Sequence, residues 1–130
     1  MRIITKTITL PIDGTPRDFQ LRKLDAFSGV CLLQILRRYQ SENGESINDL
    51  LNRIFDTLPP EELRSLLRMC LNAVEVRLPA GWQPVMIGSD WGWPDLEYNA
   101  RVCMVLMFEE IIWTLHDFFD ESASTSPPGT

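Results

Sequence analysis

Two hydrophobic rhythms divide this chain. In Ile3-Ile4-Thr5-Lys6-Thr7-Ile8-Thr9-Leu10 the side chains are largely β-branched, and Ile4, Ile8 and Leu10 share one face at a period of two. That pattern predicts a half-buried strand. Asp13-Gly14 follows a proline and supplies the backbone freedom of a turn. Phe19 and Leu21 then alternate with Gln20 and Arg22, which predicts a returning strand. A β-hairpin over residues 2–22 follows, and because two strands alone are marginal in water it must lie on helices.

Beyond the hairpin the period becomes helical. Asp25 can cap a helix whose apolar positions include Ala26, Phe27, Val30, Cys31, Leu33 and Leu36. It ends near Arg37-Arg38-Tyr39, where cations suit the carbonyl end of the helix dipole. After a polar break over residues 41–45, Ser46 caps a second helix with Ile47, Leu50, Leu51, Ile54, Phe55 and Leu58 on one face, the cleanest amphipathic pattern in the chain. Pro59-Pro60-Glu61-Glu62 opens a third helix, since proline and acids both suit a first turn. Its stripe is Leu63, Leu66, Leu67, Cys70, Leu71 and Val74, with Arg64, Arg68 and Arg77 toward solvent.

The segment 79–94 interrupts the rhythm with a glycine- and proline-rich stretch carrying Trp82, Trp91 and Trp93, which reads as a long loop. A fourth helix is predicted from Pro94-Asp95 to about Phe119, with Glu110, Thr114, Asp117 and Glu121 as its polar strip and nearly everything else from Val102 apolar. The chain is therefore expected to be α+β and predominantly α: an N-terminal β-hairpin packed on about four helices, the last of them long. Residues 1–121 read as one globular domain, and the polar residues 122–130 as a disordered tail.

Composition narrows the functions. The net charge of -6 argues against general affinity for nucleic acid phosphate. Glu109, Glu110 and Asp117 interrupt the apolar stretch of residues 102–119, so it reads as a helix buried in protein and not as a membrane span. Cys31, Cys70 and Cys103 stand far apart among apolar neighbours and read as reduced, buried thiols of a cytosolic protein. No phosphate loop, GxGxxG, GxSxG, HExxH or CxxC is present, so neither a cofactor nor a metal is expected.

Few residues remain as candidates for chemistry. An enzyme would rest on Glu109, the single histidine His116 and a cysteine. His116 reads more simply as a partly exposed imidazole near a helix carboxyl end, and thiols among apolar neighbours are poor nucleophiles. Glu110 belongs to the polar strip, whereas Glu109 shares its face with Val102, Val105, Ile112 and Trp113. It either pairs with an arginine such as Arg37 or Arg38 or meets a partner protein, because a buried unpaired charge is costly. The tryptophans pin the loop to the core or form a protein contact, tryptophan being enriched at binding hot spots; an aromatic sugar-binding platform is a third reading, which the few polar groups alongside disfavour. No residue is expected to be catalytic; the candidate partner-binding residues are Trp82, Trp91, Trp93, Glu109 and Trp113. A last helix apolar on most sides must be buried within the monomer or against another chain, so self-association is also an expectation.

The order of these features carries a family likeness. A β-rich start precedes Phe19-Gln-Leu21-Arg-Lys-Leu24-Asp-Ala26-Phe-Ser-Gly29. Leu58-Pro-Pro-Glu61-Glu-Leu63 opens a helix, and Gly81-Trp-Gln-Pro84-Val85 precedes an acidic, aromatic segment and a long final helix. Over residues 2–119 the chain resembles the tail assembly chaperones of long-tailed (lambda-like) bacteriophages. The resemblance implies a non-enzymatic factor of the host cytoplasm, absent from the mature virion. Its partners would be the tail tape measure protein, which it keeps soluble, and the major tail tube protein. It also implies ribosomal frameshifting near the end of the gene, for which the polar tail would serve as a linker. The alternative, from the negative charge, is a small acidic inhibitor or DNA mimic acting on a host factor.

Overall fold

Asp13 and Gly14 both have positive φ, 51° and 82°, the geometry of a two-residue hairpin loop whose twist matches its strands. In the computed structural model, which describes residues 4–41 and 44–124 and side chains as far as His116, this loop joins β1 (Thr5–Ile12) to β2 (Thr15–Arg22). The pairing runs from Ile12↔Thr15 to Thr5↔Arg22, so Ile8 lies opposite Phe19.

Three helices follow, each started by the predicted residues. The Asp25 carboxylate accepts the Ser28 N–H at 2.8 Å at the head of α1 (Ala26–Tyr39). Ser46 accepts the Asp49 N–H at 3.1 Å at the head of α2 (Ile47–Thr57). α3 (Pro60–Leu71) has proline at its first position and Glu61 and Glu62 in its first turn. Arg53 of α2 reaches back to the Tyr39 carbonyl at the end of α1 and pairs with Glu45, closing the corner between the two helices.

The main departure from expectation comes next. The predicted third helix buries Val74 in its stripe and continues toward Arg77, but the observed one stops at Leu71, and Val74–Leu78 forms β3. Val74, Val76 and Leu78 alternate with Glu75 and Arg77, and β2 offers Leu21 and Phe19 directly opposite Val74 and Val76. Pairing there takes both valines to 0% exposure, which another helical turn could not do for residues two apart. β4 (Gly81–Pro84) then adds to β3, giving an antiparallel sheet of order β1-β2-β3-β4. The rest of the expected loop is a small hairpin of β5 (Met86–Ile87) and β6 (Asp90–Trp91) and a 3-10 turn, Pro94–Leu96. The fold is α+β and about half helical, with twice as many strands in the main sheet as the expected hairpin supplies.

α4 (Ala100–Ser124) begins after Asn99, whose side chain accepts the Val102 N–H at 3.2 Å, and not at Pro94-Asp95. Its side chains Val102, Cys103 and Leu106 pack on the inner sheet face of Phe19, Leu21, Val74 and Val76. Met107, Ile111 and Leu115 pack instead with α1, α2 and α3, around Leu32, Leu51, Ile54 and Cys70. The fourth helix is thus the shared wall of two apolar clusters. Residues 125–130 of the expected tail, and the side chains of Asp117 and Glu121, lie outside the described residues.

α1 buries only part of the apolar set predicted for it, Leu36 fully and Leu33 in part. Leu32 and Leu36 are buried, whereas Phe27 and Val30 are 85% and 64% exposed and Cys31 is exposed too, so the expected burial of that thiol fails. Apolar residues occupy most sides of this helix, and its neighbours cover only one.

Gly92 is the glycine that packing requires. It donates to the Val85 carbonyl at 3.0 Å, and a Cβ there would overlap the Pro84 carbonyl oxygen. Gly92→Ala should cost about 1–3 kcal/mol, the scale of an overpacked site. Gly29→Ala, inside α1 with open space around its Cα, should instead stabilise by about 0.5–1 kcal/mol. Urea unfolding of both variants checks the contrast; equal effects would show that the Pro84 contact does not matter.

Candidate functional site

Glu110 lies three to seven residues beyond Cys103, Leu106 and Met107, in the middle of the arc that α4 buries. Its exposure is 0%. This reverses the expectation for the pair: Glu110, predicted on a polar strip, is in the core, while Glu109 is only half-buried. The sheet and α3 together decide which side of a helix apolar on most faces is covered, and they cover this one. Thr114, one turn on in the same strip, accepts the backbone N–H of Leu24 through its hydroxyl oxygen at 3.1 Å. That hydroxyl pulls the Glu110 carboxyl down, but burial outweighs it and pushes the carboxyl up to about 9. Neither carboxyl oxygen makes a hydrogen bond of good geometry. Glu110 is therefore a neutral acid at pH 7.

The thiols are shifted in the same sense. Burial drives the Cys70 thiol far upward, and the Glu110 carboxylate adds to this when charged. Burial also pushes Cys103 up to about 11, and its sulfur faces the Leu96 carbonyl at 3.6 Å. Neither thiol is a thiolate near neutrality, so neither is set up as a nucleophile. His116 is exposed, with its ring 5.7 Å from that of Trp113. Among the described residues no three His, Cys, Asp or Glu side chains gather where they could hold a metal ion, and no helix is long and apolar enough to cross a membrane.

The five candidate partner-binding residues fall in different surroundings. Trp93 is in the sheet-side core, its ring 6.1 Å from that of Phe19. Trp82 is on the edge strand β4, 37% exposed, beneath the Arg77 guanidinium at 5.8 Å. Trp113 ties α4 to the start of β1: its indole N–H donates to the Ile4 carbonyl at 3.3 Å, and the Lys23 ammonium lies 4.7 Å from its ring. Glu109 is four residues before Trp113 on α4. The pairing offered for it with Arg38 is not made, because Arg38 binds Glu62 at 3.0 Å. Trp91 borders an open apolar cavity.

That cavity, about 460 Å³, is a groove between α2, α3, α4 and the β5–β6 hairpin. Phe55, Leu63, Leu67, Trp91, Met104 and Met107 supply its walls, with Glu97 and Arg101 as its charged lining. Glu109 is about 140° around α4 from Met104 at ~100° per residue, so it takes no part. The sequence points to Trp91 but not to Phe55 or Met104. Each of those two fits within an apolar stripe, and the sequence does not show that the β5–β6 hairpin packs beside them. Asn72, at the end of α3, fixes that hairpin: its amide donates to the Gly88 carbonyl at 3.0 Å and accepts the Gly88 N–H at 2.7 Å.

No protein-family model matches the chain, and neither a curated protein nor a solved structure does.

Two outcomes follow. The Glu110 carboxyl ionises near its ordinary value of 4.5 in the unfolded chain and near 9 in the folded one. Its neutral form is thus native-like, and stability fully present below about pH 4.5 should fall as pH rises toward 9. Glu110→Gln should flatten that slope and exceed the parent by a few kcal/mol near pH 8–9, as read by urea unfolding across pH. Trp93→Ala should lose about 3–5 kcal/mol in the same assay, whereas Trp82→Ala, at the sheet edge, should change stability little.

Proposed function

We propose that this chain is a non-enzymatic tail assembly chaperone of the kind found in long-tailed phages, acting in the host cytoplasm and absent from the finished virion. It holds apolar stretches of the tape measure protein and helps recruit tail tube subunits. The supporting observation is the groove beside Trp91. A client that is long and helical presents apolar side chains at i, i+3, i+4 and i+7, and an open apolar trough between helices receives such a stripe. Methionine suits a surface that must take many related sequences, because its unbranched thioether adapts its shape. The net charge of -6 keeps a protein with such a trough soluble. The likeness in the order of sequence features supplies the identity of the client; the groove supplies the means of holding it.

Co-expression tests the reading. The parent chain should keep its cognate tape measure protein in the soluble fraction, and Met104→Lys should weaken that binding about tenfold or more, the scale of one hot-spot contact. A client that precipitates equally with and without the chain would overturn the proposal. Salt-sensitive capture of a basic host nuclease or repressor, with no tail protein recovered, would favour the acidic inhibitor instead.

A further inference from the structure

Phe27 and Val30 are the least covered apolar side chains of α1, at 85% and 64% exposure. They begin a solvent-facing stripe that continues through the exposed Cys31 and Gln34 to the exposed Arg37 and Arg38. Beside the second half of this stripe, between α1 and α3, lies a groove of about 360 Å³. Ile35, Leu66 and Met69 are its covered apolar lining, and the exposed Arg38–Glu62 ion pair borders it. A projecting aromatic ring and an apolar depression therefore lie on one surface of one molecule. Phe27 and Ile35 are eight residues apart, about 12 Å along the helix, and Cys31 is midway between them.

We propose that α1 pairs antiparallel with the α1 of a second copy about a twofold axis passing near Cys31, each Phe27 entering the other copy's α1–α3 groove at the level of Ile35.

Symmetry selects a second copy as the occupant. A twofold interface must be self-complementary, with each patch meeting the surface that the other copy presents at the same distance from the axis. A knob and a hole placed equally far on either side of Cys31 satisfy that condition. Charge agrees with it. α1 opens at the exposed Asp25 and closes at Arg37 and Arg38, so antiparallel pairing brings Asp25 of one copy level with Arg37 of the other at both ends of the contact. It also sets the two helix dipoles head to tail, whereas a parallel arrangement would align like charges. This pairing stands independently of the client reading, since the α1 surface shares no residue with the groove beside Trp91.

Sedimentation velocity of the full chain over a wide concentration range provides the test, together with a short bis-maleimide. Of the three cysteines only Cys31 is exposed, so the reagent links two folded copies only through Cys31. The parent chain should dimerise and give a cross-linked band. Phe27→Asp should raise the dimer Kd by roughly 30-fold or more, the effect of losing a hot-spot aromatic, and should abolish the band while the monomer stays folded by circular dichroism. Cys31→Ser should dimerise without a band. A parent chain that stays monomeric into the hundreds of micromolar overturns the proposal. So does a dimer indifferent to Phe27→Asp, or one that the reagent cannot link through Cys31. A monomer whose Phe27→Asp variant loses tape measure binding overturns it as well, by assigning the stripe to the client.

Discussion

A helix as apolar as α4 cannot stand at a surface, and most of this architecture can be derived from that constraint. One flank of the helix needs the valines and aromatic rings of a sheet. The other needs the leucines of three further helices. β3 matters for this reason: without Val74 and Val76 beside Phe19 and Leu21, the sheet would be too narrow to cover Val102, Cys103 and Leu106. The hairpin predicted at the N-terminus is half of a wall, and β3 and β4 complete it.

The same constraint explains the acid in the core. Once both flanks are covered, the residue at the middle of the buried arc has no route to water, and position 110 is occupied by glutamate. Protonation is the less costly way to keep it there, because an ionised carboxylate without a partner would have to surrender its hydration with nothing in return. Glu110 and Cys70 share this interior, and burial leaves both groups neutral and chemically quiet.

Much of the fold is legible in local chemistry alone. The Asp13-Gly14 loop, the Asp25 and Ser46 caps, the proline-led start of the third helix and the stripe of α2 apart from the exposed Phe55 all announce themselves along the chain, and each forms as read. What fails depends on distant neighbours. Val74 fits a helical stripe after Leu71 as well as it fits a strand with Val76, and only β2 resolves the choice. α1 is apolar on most sides, so its periodicity cannot say that Leu32 is inside and Phe27 outside. Glu110 reads as a solvent-facing residue because it shares a strip with Thr114, Asp117 and Glu121, but the sheet and α3 cover that strip at position 110. The candidate site is legible to the same limited degree. Tryptophan content marks the segment that borders the groove, but Trp82, Trp91 and Trp93 are chemically alike and differ only in what the sheet and the small hairpin bring against them.

The two-way amide contact between Asn72 and Gly88 has a mechanical consequence. It imitates a rung of a ladder and stitches the end of α3 to the turn of the hairpin that carries Trp91. Two sides of the trough are thereby tied to each other by a pair of hydrogen bonds. A segment seated between them meets walls already in position, so little of its binding energy is diverted into ordering a loose loop.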